Sequence, residues 1–351
     1  MTAHQWSGLT VLITGVCGTV GGELLRQLAQ TDCAHITGID NTETELFFLD
    51  QAYSGNPKVE LFLCDLRDRA AVRRNCRGTD VILHAAALKH VVLCERSPRD
   101  AVATNIEGVM NVIDAAEAHR VSRQLFTSSD KAVNPTNVMG TTKLMGERLI
   151  TAANAHRRSE HDTIFASTRF GNVLGSRGSV IPLFKRQIAR GGPVTLTDEA
   201  MTRFIMTLED AVSLVLESTF LAQGGEVFVT KMPVVRIADL ASVMIESLAP
   251  VAGYRPQDIR VELIGAKPGE KMYEELLNEE EVRRTMELDR FYAVTPAFKG
   301  VYHSIQYNYD NVVSATVTRP YNSAVEPSLT RDELTAYLNR HHLLQVSECA
   351  S

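Results

Sequence analysis

The segment VLITGVCGTVGGELL, residues 11–25, constrains the fold of this chain more than any other stretch. An apolar run ends at Gly15, glycines recur at Gly18 and Gly21, and an amphipathic stretch, GGELLRQLAQ (21–30), follows at once. A G-x-x-G-x-x-G spacing between strand and helix demands a tight turn, close approach of a ligand to backbone, and a helix packed hard on its strand. Residues without a Cβ meet all three demands. The helix is expected to begin near Val20, with Thr19 and Val20 beside the glycines where a pyrophosphate would meet its N-terminus.

The rest of the first half repeats the alternation. LTVLIT (9–14), HITGID (35–40), VELFLCD (59–65), DVILHAA (80–86), RQLFTSS (123–129) and TIFASTRF (163–170) read as strands. Several are apolar nearly throughout, as strands covered on both faces are. Helical patterns lie between them, among them RDRAAVRRNC (67–76) and NIEGVMNVIDAAEAH (105–119). This order predicts an α/β fold with a doubly wound parallel sheet of the Rossmann kind. After about residue 171 Gly, Pro and Ser become frequent and the segments shorten, which predicts a smaller C-terminal domain over 172–351. TLEDAVSLVLEST (207–219) reads as a helix returning to the first domain, so residues 1–171 are expected to be rejoined near 205–232. RDELTAYLNRHHLL (331–344) reads as an amphipathic helix whose His341 and His342 decorate its end.

Composition narrows the partners. The 351 residues are 44% hydrophobic, enough for a sizeable core, and carry a formal net charge of −6 without a basic stretch. Nucleic acid and anionic membrane surfaces are therefore poor partners. Six cysteines lie scattered without CxxC or CxxH spacing, so neither a metal site nor a disulfide framework is expected. With no leader-like N-terminus and no apolar run of membrane-spanning length, a soluble cytoplasmic protein is expected.

The second strand ends in Asp40, where a carboxylate would accept bonds from an adenosine ribose. With no Arg or Lys nearby to offset a 2′-phosphate, NAD is favoured over NADP. Asp65 reads either as a contact to the adenine edge or as the cap of the helical stretch that follows.

Five further segments occur in order: HAAALKHV (84–91), TNIEGVMNV (104–112), SSDKAVNP (128–135), RFGNVLGSRGSVIP (169–182) and MTRFIMT (201–207). Together with the glycine turn they resemble extended short-chain dehydrogenases/reductases, specifically the UDP-N-acetylglucosamine 4,6-dehydratases of bacterial glycan biosynthesis. The resemblance covers nearly the whole chain. It implies an NAD cofactor held by Gly15, Gly18, Thr19, Val20, Gly21, Asp40, Asp65, Leu66, Ala85, Ala87, Lys89, Asn105 and Lys143. It implies a homo-oligomer as well, although core packing explains the helices at 105–119 and 143–156 equally well. In such enzymes the sugar C4 hydroxyl gives up hydride, the C5 proton is removed, water leaves from C6, and hydride returns to C6. By resemblance Asp130 is the acid at C6 and Lys131 the base at C5. Lys131 must shed its proton to act so, which partial burial beside other cations would favour. Apart from the resemblance, an adjacent Asp and Lys read as a surface ion pair.

Most short-chain dehydrogenases place a Tyr one helical turn before the Lys that sits here as Lys143; this chain has Met139 there. A thioether is no proton acceptor for the C4 hydroxyl. Within the dehydratase family the Met resembles the mark of the C5-retaining branch, and the proton is expected to pass to Asp130 with Ser129 as relay. For the UDP-N-acetylhexosamine substrate, the resemblance implies contacts from Lys89, His90, Asn172, Ser179, Val180, Arg203, Lys267 and Glu270, with Gly178 adding an amide. Arg203 is expected to grip a phosphate with both arms of its guanidinium. His90 is equally readable as a structural hydrogen bonder, and Asn105 as a satisfier of backbone groups. Two alternatives stand beside this reading. A UDP-sugar C4-epimerase would share fold and cofactor but normally uses the Tyr. A non-catalytic NAD-binding regulator would not need Asp130, Lys131, Asn172 and Arg203.

Overall fold

Gly15 adopts φ +70°, and a Cβ there would lie 2.6 Å from the Ala86 Cα; one at Gly21 would lie 2.1 Å from the Gly15 carbonyl oxygen. Neither position admits a side chain, so strand and helix close on each other only because both residues are glycine. A computed structural model describes residues 3–156, 162–176, 179–265, 270–298 and 305–345. The chain divides into two units. The first takes the chain up to Phe170, then Ala211–Lys231 and Leu276–Pro320; the second takes Gly171–Asp210, Met232–Glu275 and the chain from Tyr321 onward.

In the first unit β1 (Thr10–Thr14) leads through the glycine turn into α1 (Thr19–Leu28). β2 (His35–Asp40), α2 (Glu43–Tyr53), β3 (Val59–Leu63), α3 (Arg69–Asn75) and β4 (Val81–His84) follow. α4 (Val91–Arg96), α5 (Pro98–Val102), a π-helical turn at Ala103–Glu107 and α6 (Gly108–His119) lead to β5 (Arg123–Ser129). α7 (Val138–Ala153) and β6 (Ile164–Phe170) complete the first pass. The second unit opens with β7 (Asn172–Val173), α8 (Val180–Ala189), β8 (Val194–Leu196) and β9 (Thr202–Met206). α9 (Leu208–Leu221) and β10 (Val227–Thr230) return to the first unit. β11 (Val234–Arg236), α10 (Ile237–Leu248) and β12 (Val261–Leu263) belong to the second, and β13 (Glu275–Leu277) spans the boundary. α11 (Glu279–Val282), β14 (Thr285–Leu288), β15 (Phe291–Val294) and β16 (Val312–Ser314) fall in the first unit; β17 (Tyr321–Asn322) and α12 (Arg331–Arg340) fall in the second.

The first unit is built on a ten-stranded sheet ordered β16-β14-β15-β10-β6-β5-β4-β1-β2-β3. β1 to β6 and β10 run parallel, while β15 lies antiparallel on β10. From β1 the chain winds outward to β3, then crosses back to β4 on the other flank of β1. The carboxyl ends of β1 and β4 therefore form the switch point where such sheets take ligands. β1 and β4 are buried almost throughout, as two-sided cover requires. β3 is the edge strand and leaves Phe62 and Leu63 exposed, so its apolar run is not covered on both faces.

Three boundaries differ from expectation. α1 starts at Thr19, with Gly18 at its cap. α7 starts at Val138, five residues before the expected 143, because the Asn137 side chain accepts the Gly140 N–H (2.8 Å) and Glu95 accepts the Val138 N–H (2.6 Å). Residues 276–320, expected with the C-terminal domain, join the first unit because β15 zips onto β10 and carries β14 and β16 with it. In the second unit α8, α10 and α12 share one core that includes Phe184, Ile188, Leu240, Met244, Leu334 and Leu338. Among the described residues, no helix is long and apolar enough to cross a membrane.

One buried cation organises the first unit. Arg169 on β6 is fully buried and meets Glu147 of α7 through both carboxylate oxygens, at 3.0 and 2.6 Å. It also donates to the Leu276 carbonyl (2.7 Å) and to Glu281 (3.0 and 3.1 Å). Burial alone would favour the neutral form, but the two carboxylates outweigh it and hold the guanidinium charged. Arg169→Met strands both carboxylates without their cation and should cost roughly 3–5 kcal/mol, read as a lower urea midpoint with unchanged slope. Replacing all three charges with apolar residues of similar volume should recover most of that loss.

Candidate active site

The carboxyl ends of β1, β2, β3 and β4 gather most of the expected cofactor residues. Asp40 closes β2, where one carboxylate oxygen accepts the Cys17 N–H (3.0 Å) and the other accepts the Thr42 N–H and hydroxyl (3.1 and 2.8 Å). It thereby ties the strand end to the glycine turn. Asp65 is not the cap of α3: Asp68 is, accepting the Ala71 N–H at 3.0 Å. Asp65 turns instead to Arg67, whose guanidinium at 2.5 Å holds its carboxyl below the usual range. Leu66 is buried against Gly108, and its carbonyl accepts from the Asn111 side chain. The Ala85 N–H reaches the Thr14 carbonyl at 3.3 Å, and Ala87 lies half-buried in the loop beyond it.

The end of β5 holds the residues expected to transfer protons. Ser129 accepts the Lys131 N–H at 3.2 Å and so starts the short 3-10 turn Asp130–Ala132. That turn buries Asp130, whose side chain is 5% exposed, while Lys131 remains 33% exposed with Nζ 2.9 and 3.1 Å from the two carboxylate oxygens. Lys143 of α7 is buried over the Phe126 ring and donates to the Thr127 carbonyl at 2.8 Å. Burial pushes its pKa down to about 8 against the opposing pull of Glu147. Met139, on the same helix face, is buried with Cys94 and Ala101. Val91 and Val138 pack against the same cluster, an apolar setting that a thioether fits. Asn105 exchanges two hydrogen bonds with the Leu88 backbone (2.8 and 2.9 Å) and donates to the Thr142 hydroxyl (3.0 Å). It pins the loop after β4 to α7, which is the backbone-satisfying role. Lys89 and His90 lie exposed where that loop enters α4.

Several residues with a part in this geometry carry no signal in the sequence. His84, inside the run read as a strand, is fully buried, lies 2.7 Å from the Thr14 hydroxyl and stacks on Phe126. Burial, with the Lys143 charge adding to it, drives its pKa down to about 3, so the ring stays neutral. Glu147 and Thr127 are likewise visible only through their contacts with Arg169 and Lys143.

The second unit contains a cavity of about 270 Å³, lined among others by Asn172, Ser179, Val180, Arg203 and Glu270. Ser179 is the cap residue of α8, so the first amides of that helix border the cavity. Arg203 differs from expectation. Its Nη1 donates to the Thr202 and Met272 carbonyls (2.8 and 3.2 Å), its Nη2 to the Lys271 carbonyl (2.8 Å), and its Nε lies 3.4 Å from Glu274. No parallel pair of N–H groups is left for bidentate phosphate contact, because the fork is spent clamping β9 to residues 271–274. Glu270 stands 3.9 Å from the same guanidinium. Lys267 and Gly178 lie outside the described residues.

The architecture of the first unit, with its glycine turn and the lysine-bearing helix after β5, is that of an extended short-chain dehydrogenase/reductase. Residues 11–296 match the polysaccharide biosynthesis protein family, and the chain belongs to that family. It is 49% identical over 287 residues to a Methanocaldococcus jannaschii protein described as an uncharacterized membrane protein, covering 82% of this chain and 86% of that one. A UDP-glucose 4-epimerase of Rickettsia canadensis is 37% identical, covering 81% and 82%. An inverting UDP-N-acetylglucosamine 4,6-dehydratase of Campylobacter jejuni is 36% identical, covering 84% and 85%. The chain spans about half the length of another relative, the capsular polysaccharide biosynthesis protein CapD of Staphylococcus aureus. Among solved structures, Pen from Bacillus thuringiensis superposes with a TM-score of 0.88 at 38% identity, covering 97% of this chain and 99% of that one.

The burial of Lys143 has a consequence for stability. A lysine whose pKa falls from 10.5 to about 8 on folding binds its proton more weakly in the folded state. Its destabilising effect is therefore complete below pH 8 and disappears between pH 8 and 10.5. Lys143→Met should unfold at higher urea than the parent at pH 7, by on the order of 3 kcal/mol at most, with the gap closing by about pH 10.5.

Proposed function

We propose that this protein is an NAD-dependent UDP-N-acetylglucosamine 4,6-dehydratase that retains configuration at C5. The observation that carries the reading is the Asp130–Lys131 pair at the end of β5: a buried acid in contact with a half-open lysine, and no Tyr on the adjoining helix. The first unit suits the dinucleotide. Gly15 and Gly21 form a turn that a Cβ would fill, α1 presents its N-terminus there, and Asp40 at the end of β2 suits the hydroxyls of a ribose. NAD, when bound, supplies the hydride acceptor at C4 and the hydride donor at C6.

The residues divide the proton transfers. Asp130 takes the C4 hydroxyl proton and later delivers it to the departing C6 oxygen, which leaves as water. Ser129, whose oxygen accepts the Lys131 N–H, keeps its own proton to donate. Once Asp130 is protonated, Lys131 loses the anion that favours its charged form, which lowers the cost of giving its proton to solvent. Neutral Lys131 then takes the C5 proton and delivers a proton from the same ammonium, whose other hydrogens come from solvent, back to the same face, which gives retention. Lys143 places a fixed cation beside the site without exchanging protons. In the second unit, the amides at the head of α8 border the cavity and suit a diphosphate better than the occupied fork of Arg203.

The epimerase reading draws on a relative of almost equal identity. It requires a group that both removes and restores the C4 hydroxyl proton while hydride returns to C4. Met139 cannot do so, and Asp130 beside Lys131 would have no leaving group to serve. An NMR time course with UDP-N-acetylglucosamine in D₂O separates the readings. A new C6 methyl, a C4 ketone or its hydrate, and deuterium at C5 with configuration kept are expected; UDP-N-acetylgalactosamine would indicate epimerisation, and an inverted C5 would remove the retaining claim. Asp130→Asn should lower the dehydration rate by roughly 10²–10⁴-fold while NAD binding persists.

A further inference from the structure

Two glycines inside α7 have no positive φ and stand in no turn, yet neither position has room for a side chain. A Cβ at Gly146 would lie 2.7 Å from the far end of the Phe126 ring. One at Gly140 would lie 2.3 Å from the Lys131 carbonyl oxygen and 3.2 Å from the Pro135 Cβ. Helix propensity alone favours alanine at both positions, so what each glycine gains is the close approach itself.

The approach at Gly140 is to the backbone of the acid–lysine pair. The 3-10 turn Asp130–Ala132 is held by the Ser129 oxygen on the Lys131 N–H (3.2 Å) and by the Val133 N–H on the Asp130 carbonyl (3.1 Å). The bare backbone of α7 at Gly140 closes off the Lys131 carbonyl. A methyl group there must displace either the helix or the turn. The helix is fastened along its length. The Asn137 side chain accepts the Gly140 N–H itself (2.8 Å), Glu95 of α4 accepts the Val138 N–H (2.6 Å), and Lys143 donates to the Thr127 carbonyl (2.8 Å). One turn further on, Glu147 is paired with the buried Arg169. The turn, with two such bonds and a half-open lysine, is the part that gives way.

We propose that Gly140 is a positioning residue for proton transfer at the end of β5: its missing side chain makes α7 the stop against which the Lys131 peptide rests, and so sets where the Lys131 ammonium stands beside Asp130. This role rests on the dehydratase reading. There the C5 proton passes to neutral Lys131, whereas oxidation at C4 uses Asp130, whose side chain is packed in place. Displacing the Lys131 peptide therefore slows the step at C5 far more than the step at C4.

Gly140→Ala is tested beside Gly146→Ala, which puts the same methyl on the same helix against a side chain and not against the Lys131 backbone. Mixing each NAD-loaded protein with UDP-N-acetylglucosamine separates the stages. The near-ultraviolet absorbance of reduced nicotinamide rises with oxidation at C4 and falls once water has left and C6 is reduced. In Gly140→Ala the rise should slow by about threefold at most and the fall by roughly a hundredfold, the loss that a displacement of about 1 Å brings. Gly146→Ala should unfold at lower urea but keep the parent's ratio of the two rates. A ratio unchanged in Gly140→Ala, or shifted equally in Gly146→Ala, overturns the proposal. Should Gly140→Ala fail to fold, Glu95→Ala loosens the same stop from the surface. The ratio should then shift in the same direction, and Glu95→Gln, which keeps an acceptor for the Val138 N–H, should return it; a ratio indifferent to Glu95→Ala overturns the proposal as well.

A readout without substrate keeps this role apart from the choice of substrate. In protein labelled with ¹⁵N-lysine, the backbone resonance lost in Lys131→Arg belongs to residue 131. It should move in Gly140→Ala and stay in Gly146→Ala; an unmoved resonance in Gly140→Ala refutes the contact. A parent protein that shows this behaviour but no absorbance change with UDP-N-acetylglucosamine refutes the substrate reading and leaves the contact between Gly140 and Lys131 standing.

Discussion

A guanidinium with no access to water must be met on every side, and that requirement shapes the first unit. Arg169 projects from β6 into a space closed by Glu147 of α7, the Leu276 carbonyl and Glu281 of α11. Each partner is replaceable only at the cost of a stranded charge, so three segments distant in sequence are held in one register. α7 gains most from this. It is drawn onto the sheet closely enough that Gly140 lies against the Lys131 carbonyl and Gly146 against the Phe126 ring, where a Cβ would come within 2.3 and 2.7 Å. Because the helix lies that close, Lys143 reaches the Thr127 carbonyl and Met139 is sealed beneath α4 and α5.

The molecule uses the same charges in two opposite ways. Around Arg169 every donor meets a carbonyl or carboxylate in the dry interior, and no proton can move without breaking the network. At the end of β5 Asp130 is buried but its partner is not. That partner, Lys131, reaches solvent, so the pair is not sealed as the Arg169 network is. Lys143 lies between these extremes, buried and charged, held by one carbonyl and an aromatic face. The second unit repeats the contrast, since Arg203 is spent on carbonyls while the amides of α8 stay at the cavity.

Much of the first unit was legible because its signals are local. A glycine at φ +70° cannot be mistaken when it sits between an apolar run and an amphipathic one, and six such runs imply a parallel sheet. Asp130, Lys131 and Lys143 were readable because a short motif carries them. The start of α7 was not, since it depends on Glu95 reaching across from α4. The placement of 276–320 was hidden too, because antiparallel zipping of β15 on β10 leaves no mark in either strand.

By itself the sequence determined the doubly wound sheet, the glycine turn and the acid–lysine pair, because each follows from residue type at fixed short spacing. Only the tertiary structure decided which charges are available. Arg169, Arg203 and Lys131 are indistinguishable as cations in a sequence, yet one is locked, one is given over to backbone carbonyls and one is half open. Availability depends on what lies within about 3–4 Å in space and on how much water reaches it, and neither is a property of the neighbouring sequence. The same reason hid Gly140, whose meaning rests on the Lys131 carbonyl lying against it and on Glu95 and Asn137 holding the helix in place.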